Sequence, residues 1–130
     1  MPSHFHWIIK VDKTKGTISD IMRDIKKYSS WDIMEILEKN NNQELLKIFQ
    51  ESAIQYKNYK RKLWMKRFDD EAIRDQGMFF TKLKYIHNNP VKAGLVGKAE
   101  DYLYSSARNY ILGDHSVLSV DIHLGGIEIV

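Results

Sequence analysis

The sequence predicts an α+β domain with few strands and several helices, and three observations carry this prediction. Residues 4–11 are mostly bulky apolar and aromatic side chains, which are typical of a β-strand. Several later segments space their apolar residues as one face of a helix does. Residues 116–122 form a second strand-like run. The 130 residues are enough for one core and predict a single domain over 1–130.

Five helices are predicted between the two strands, each from apolar residues at helical spacing. Thr17 or Ser19 caps the first helix, and Pro90 stops the fourth because the residue before a proline disfavours helical geometry. The first helix carries Ile18 to Ile25, and the second starts at Ser30 and runs from Trp31 to Lys39. Asn40 to Asn42 separate the second helix from the third. The third, fourth and fifth helices cover residues 43–59, 77–88 and 102–111.

The composition excludes several classes of protein. Hydrophobic residues make up 43% and charged residues 28% of the chain, which is too apolar for a disordered protein. The absence of cysteine excludes disulfides, thiolate metal sites and a cysteine nucleophile. No apolar run is long enough for a membrane span, and no signal-peptide layout precedes the first strand, so a cytoplasmic location is expected. A net charge of +3 permits a nucleic-acid partner without arguing for one.

Two histidines flank Phe5 in the first predicted strand. Because residues i and i+2 of a strand point to the same face, His4 and His6 can converge on one divalent ion. A third ligand then has to come from elsewhere in the chain. Such a pair is also typical of an ordinary polar face, and spacing alone favours that interpretation.

Tyr85 and Asn89 are four residues apart near the end of the fourth predicted helix, and so share one helical face. A tyrosine can act as a nucleophile in a two-step transfer, and an amide oxygen can complete a metal shell. The alternative is an ordinary helix end, with asparagine and proline as its stop signal, and spacing alone favours it.

Residues 57–67 are the dense charge cluster of the chain, because six of the eleven are Lys or Arg. Their mixture with Tyr59 and Trp64 suits phosphate contacts and base stacking, although a solvated helix end fits equally well. Asp69 and Asp70 could bind a metal or cap the next helix, and capping is favoured. His115 and His123 receive no role.

Four segments together resemble one known family. They are MPSHFH, ISDIMRDIKKYSS, YIHNNPVKAGLV and EDYLYSSARNY, in that order over most of the chain. The combination is similar to the REP-associated tyrosine transposases, which are single-tyrosine transposases of the HUH (histidine–hydrophobe–histidine) type. The resemblance implies a ferredoxin-like antiparallel sheet with packed helices. Relatives carry a further strand and helix before the first segment, so an N-terminally truncated domain is expected.

The resemblance also implies a function and its residues. His4 and His6 match the metal-binding histidines, Tyr85 matches the nucleophile, and Asn89 matches a further metal ligand. Relatives use Mg²⁺ or Mn²⁺ to nick and rejoin single-stranded or hairpin DNA through a 5′-phosphotyrosine intermediate, in DNA transposition and recombination. A homodimer and a monomer both stay open, and the expected location is the cytoplasm, with the nucleoid. Contacts to DNA are predicted for Arg23, Lys26, Lys27, Lys60, Arg61, Lys62, Trp64, Lys66 and Arg67.

The sequence departs from the family pattern at two further positions. Ser3 stands where relatives have asparagine, and Asp70 stands where relatives often have histidine. Two other functions therefore stay open beside the enzyme. One is a hairpin-DNA-binding protein without catalytic activity, and the other is an inactive remnant of a transposase.

Overall fold

The computed structural model describes residues 1–123, which contain four α-helices, one 3₁₀ helix and no β-strand. The prediction of an α+β, ferredoxin-like antiparallel sheet is therefore wrong for these residues. The chain divides into two compact units, Val11–Asp70 and Met1–Lys10 with the residues from Glu71 onwards. A single domain over 1–130 stays a prediction. No helix within residues 1–123 is both long and apolar enough to cross a membrane.

Both predicted strands lack regular secondary structure. Residues 4–11 form no helix or strand, and residues 116–122 contain only bends, a turn and irregular backbone. A strand forms only where a second strand accepts and donates its backbone hydrogen bonds, and a short apolar run cannot show that such a partner exists. Side chains of both segments instead surround one apolar cavity. Residues 4–11 are exposed or half-buried, so their apolar pattern predicted neither strand pairing nor full burial.

The first helix of the Val11–Asp70 unit, α1, spans Ile18–Lys39 without a break. The predicted cap at Thr17 is confirmed, since its side chain accepts from the Asp20 amide and Asp20 accepts from the Thr17 amide in return. The predicted new helix start at Ser30 is wrong. The neighbouring Ser29 hydroxyl donates to the Ile25 carbonyl at 2.6 Å, so the helix satisfies this polar side chain without ending.

The second helix, α2, spans Gln43–Glu51, and the predicted asparagine break before it is confirmed by the caps at Asn40 and Asn42. The predicted extension of this helix to residue 59 is wrong. The chain turns after Glu51, and the Lys62 amide donates back to the Phe49 carbonyl at 2.8 Å. Ile54, which lies beyond the end of the helix, is 80% exposed. The buried apolar residues of this unit are Met22, Leu37, Leu46 and Ala53.

In the other unit, helix α3 spans Gln76–Lys92 and passes through Pro90, so the predicted stop at residue 88 is wrong. Proline cannot donate the hydrogen bond of its own position, yet the helix closes its next turn when the Ala93 amide donates to the Asn89 carbonyl at 2.9 Å. The helix begins at Asp75, whose carboxylate accepts from the Met78 amide at 2.7 Å. The predicted capping by Asp69 or Asp70 is therefore wrong. A 3₁₀ helix (Ala99–Asp101) and α4 (Ala107–Leu112) follow, so the helix predicted over 102–111 is shorter and later than expected.

A buried histidine joins α3 to α4. His87 Nε2 lies 2.9 Å from the Ser106 hydroxyl, and the imidazole contacts the Tyr110 ring at a centroid distance of 5.5 Å. Burial lowers the pKa of His87 below its ordinary value of 6.5. The folded protein therefore holds this imidazole neutral under conditions where an exposed histidine begins to take up a proton.

This burial predicts that the free energy of unfolding depends on pH. The unfolded chain protonates His87 at a higher pH than the folded chain does, so stability is full above the ordinary histidine pKa and falls as pH decreases toward the lowered one. His87→Gln should reduce that slope, since glutamine does not titrate. Urea unfolding between about pH 8 and pH 5 would measure it. An equal slope in wild type and variant would contradict the assignment.

Candidate active site

The fold brings His6 and Tyr85 together although they are far apart in the sequence. Their ring centroids are 5.7 Å apart in an edge-to-face arrangement. Tyr85 lies on the exposed side of α3, with half of the residue open to solvent. Both residues belong to the same compact unit. A phosphate group of a ligand could therefore reach the Tyr85 hydroxyl while lying beside the His6 imidazole.

His4 and His6 form a pair whose spacing suits one metal ion. Their ring centroids are 5.0 Å apart, with the ring planes at 82°. An imidazole nitrogen binds a divalent ion at about 2.1 Å, so each ring centre would lie about 3.2 Å from the ion and two ring centres at an angle of ~100° would be about 5 Å apart. The observed separation fits two imidazoles on one ion. That His4 and His6 hold one ion stays a prediction, and the strand from which it was argued does not form in residues 1–123.

The protonation of His6 also suits metal binding. The pKa of His6 is lowered first by partial burial, then by the charge of His4 and by the N-terminal ammonium group. A lowered pKa keeps the imidazole neutral at pH 7, and only a neutral imidazole has a lone pair for a metal. The Ser3 hydroxyl lies 3.1 Å from His4 Nδ1. When that Nδ1–H donates to Ser3 Oγ, the lone pair stays on Nε2, as in metal-bound histidines generally.

Ser3→Ala is expected to weaken binding of Mn²⁺ by roughly tenfold, because the His4 ring loses the oxygen that fixes its tautomer and orientation. Ser3→Thr keeps the hydroxyl and should bind Mn²⁺ as wild type does. Calorimetric titration of each protein with MnCl₂ measures the difference. Equal affinities for the alanine and threonine variants would exclude a positioning role for Ser3.

Within residues 1–123, the histidines and carboxylates offer no third ligand to this pair. Among residues 1–123, no group of three His, Asp or Glu side chains is placed to hold a metal. Asn89 lies one helical turn beyond Tyr85 on α3, is half-buried, and makes no side-chain hydrogen bond among the described residues. Its amide oxygen is thus free to act as a ligand, which agrees with its predicted role without testing it.

Sequence reasoning missed Lys92. Its ammonium group lies 5.9 Å from the centroid of the Tyr85 ring. The signal was present in the spacing, since residues i and i+7 fall on one face of a helix and α3 continues through Pro90. A fixed positive charge beside the tyrosine favours a phosphate group there.

A cavity of about 570 Å³ borders His6 within the same unit. Its walls are mainly apolar and aromatic, with a few hydroxyl groups. The residues of the N-terminal segment and of α3 that line it are Met1, Phe5, His6, Trp7, Ile8, Ile9, Lys10, Phe79, Leu83, Ile86 and Pro90.

The predicted DNA contacts lie in the Val11–Asp70 unit, and several of them hold that unit together. The Lys26 ammonium group donates to the carbonyls of Met65 at 2.8 Å and Arg67 at 3.0 Å. The Trp64 indole N–H donates to the Ser29 hydroxyl at 2.9 Å. These contacts fasten the end of the basic segment 57–67 to α1. Both side chains therefore have a structural role within this unit.

Three further predicted contacts are engaged within the protein. Arg23 pairs with Asp20 and Asp24, and Arg61 pairs with Glu38. Lys62 places its ammonium group 3.7 Å from the centroid of the Tyr56 ring. The predicted contacts that are exposed and form no ion pair among the described residues are Lys27, Lys60, Lys66 and Arg67. These four are the better candidates for DNA phosphates.

Comparisons with protein-family models, curated proteins and solved structures find no match to this chain. Family membership therefore stays a prediction that rests on the four sequence segments.

Proposed function

We propose that this chain is a metal-dependent enzyme that nicks and rejoins single-stranded hairpin DNA through a 5′-phosphotyrosine intermediate, as REP-associated tyrosine transposases do. The proposal rests on one observation above all, the contact between His6 and Tyr85 with His4 at metal-sharing distance from His6. The location that follows is the cytoplasm, with the nucleoid.

The residues fit a divalent cation, Mg²⁺ or Mn²⁺. His4, His6 and Asn89 would hold it, with water or a DNA phosphate oxygen completing the shell. Imidazole ligands suit Mn²⁺ better than the harder Mg²⁺, which prefers oxygen. When bound, the ion would polarise the scissile phosphate and offset the negative charge that develops on it.

The chain's own residues then perform the transfer. The Tyr85 hydroxyl oxygen attacks phosphorus and releases its proton to solvent, so a tyrosyl O–P bond forms. The bond from phosphorus to the 3′ oxygen breaks, and that oxygen takes up a proton to become a free 3′-hydroxyl. Lys92, beside the tyrosine, attracts the phosphate. Attack by a 3′-hydroxyl on the phosphotyrosine reverses the step and rejoins DNA without an external energy source.

A covalent-adduct assay tests this proposal. The probe is single-stranded hairpin DNA from the sequences flanking the protein's own gene, labelled at its 3′ end. With Mn²⁺, a denaturing gel should show the label on the protein, because the tyrosine keeps the 5′ phosphate of the labelled fragment. A chelator should abolish this band. DNA binding without any adduct, with both Mn²⁺ and Mg²⁺, would contradict an enzymatic function.

A second candidate function is hairpin-DNA binding without catalysis. The observation that favours it is the segment 57–67, which has six cations and no carboxylate. A binding protein of this kind should hold hairpin DNA without metal, with an affinity that falls steeply as salt rises. Filter binding in chelator at two salt concentrations distinguishes it from the enzyme, which needs the ion for its chemistry.

A further inference from the structure

Two large aromatic residues are exposed on one side of α1. Trp31 is 58% and Tyr28 53% exposed, and their ring centroids are 5.5 Å apart with perpendicular planes. Tryptophan is rarely buried completely, but most of its surface is usually buried. The buried residues Met22 and Leu37 belong to the same helix, so α1 has a core face and still presents these rings to solvent. Neither packing nor helix formation requires them.

A lysine joins the two rings. The Lys27 ammonium group lies 4.8 Å from the centroid of Trp31 and 5.3 Å from that of Tyr28. We call Lys27, Tyr28 and Trp31 the α1 platform. A cation held against two open aromatic rings combines the two contacts that a nucleotide offers, because its phosphate is anionic and its base stacks on aromatic faces.

Two of the three carboxylates beside the α1 platform are paired with cations other than Lys27. The carboxylate of Asp24 pairs with Arg23 at 3.0 Å and that of Glu35 pairs with Lys39 at 2.6 Å. Asp32 forms no ion pair among the described residues. With Asp24, Lys27, Asp32 and Glu35 on or beside it, this side of the helix is too charged for an apolar seam between two helices.

The unit that carries the platform also carries the net charge of the chain. Residues 11–70 contain thirteen Lys and Arg against ten Asp and Glu, a balance of +3, which equals the net charge of all 130 residues. The remaining residues are balanced. The mild positive balance of this unit is compatible with a polyanionic ligand.

We propose that the α1 platform binds unpaired nucleotides of single-stranded DNA, with bases stacked on Trp31 and Tyr28 and a phosphate against Lys27. The choice of DNA as ligand rests on the proposed function. The site itself uses none of the metal or nucleophile residues, which belong to the other unit.

Fluorescence anisotropy with two labelled strands tests the stacking directly. One is an oligothymidylate of about twelve nucleotides, and the other is an abasic strand of the same length and charge. Trp31→Ala should weaken binding of the oligothymidylate about tenfold and leave binding of the abasic strand unchanged. Lys27→Met should weaken both and reduce the salt dependence by about one phosphate contact. Asp32→Asn should strengthen both.

Ile36→Ala is the matched control, since Ile36 is also an exposed apolar residue of α1. It should bind both strands as wild type does. Two results would overturn the proposal. One is a wild type that does not prefer the oligothymidylate, and the other is a Trp31→Ala variant that binds the oligothymidylate with wild-type affinity. Loss of a dimer in Trp31→Ala, with DNA binding unchanged, would overturn it in favour of a contact between copies of the chain.

Tyr85→Phe separates this inference from the proposed function. That variant should stack oligothymidylate as wild type does even though it cannot form the adduct. If the wild type prefers the oligothymidylate but forms no adduct, the α1 platform is supported and the enzymatic function is contradicted. If the wild type forms the adduct but binds both strands equally, the enzymatic function is supported and the α1 platform is contradicted.

Discussion

Tyr85→Phe is expected to lower the yield of the protein–DNA adduct by about a thousandfold or more, the scale of effect seen when an enzyme loses its nucleophile. Phenylalanine keeps the ring that meets His6 at 5.7 Å, and the position is half-exposed, so the fold and the histidine pair should be unchanged. Only the attacking oxygen is lost. DNA binding should therefore stay within about twofold of wild type.

The control for this variant is Tyr104→Phe. Tyr104 is 71% exposed in the same unit, and its hydroxyl has no part in the proposed reaction. It should form the adduct at the wild-type rate on the denaturing gel. Adduct formation by Tyr85→Phe at a comparable rate would mean that another side chain attacks, and equal loss in both variants would point to a general effect of removing a tyrosine.

Local patterns predicted the parts of the fold that depend on neighbours in the sequence. Thr17 and the asparagine break were predicted because a cap and a helix stop act within one turn. The strand over 4–11 was predicted wrongly because pairing depends on a partner distant in sequence, about which apolar spacing says nothing. The helix stop predicted before Pro90 was wrong for a related reason. The loss of one N–H near a helix end is tolerated when the surrounding residues bury the proline.

The candidate site shows the same difference between features predicted from short spacings and contacts between residues distant in sequence. The shared helical face of Tyr85 and Asn89 follows from their short spacing, whereas the closeness of His4 and His6 was argued from a strand that residues 1–123 do not form. The contact between His6 and Tyr85 does not follow from spacing, and only the resemblance to a family implied it. Lys26 and Trp64 were expected at DNA because charge and aromatic character are visible in a sequence. Their actual partners are the Met65 and Arg67 carbonyls and the Ser29 hydroxyl. These groups lie 35 to 41 residues away, so the sequence does not show the contacts.

His6→Phe is expected to weaken binding of Mn²⁺ by about a hundredfold or more, since loss of a direct ligand should exceed the roughly ten- to hundredfold cost of losing a supporting hydrogen bond. Phenylalanine preserves a ring against Tyr85 but offers no nitrogen to the ion. Adduct formation should fall with metal occupancy and recover partly at high Mn²⁺. Calorimetric titration with MnCl₂ and the adduct gel at increasing Mn²⁺ measure the two effects.

His123→Ala is the matched control, because His123 is exposed and is not part of the His4–His6 pair. It should bind Mn²⁺ as wild type does. Since His4 and His6 share one ion in this proposal, a double variant, with His4 also replaced, should lose little beyond the first loss. Additive losses from the two positions would mean two separate weak sites, and that result would remove the single metal centre on which the proposed chemistry depends.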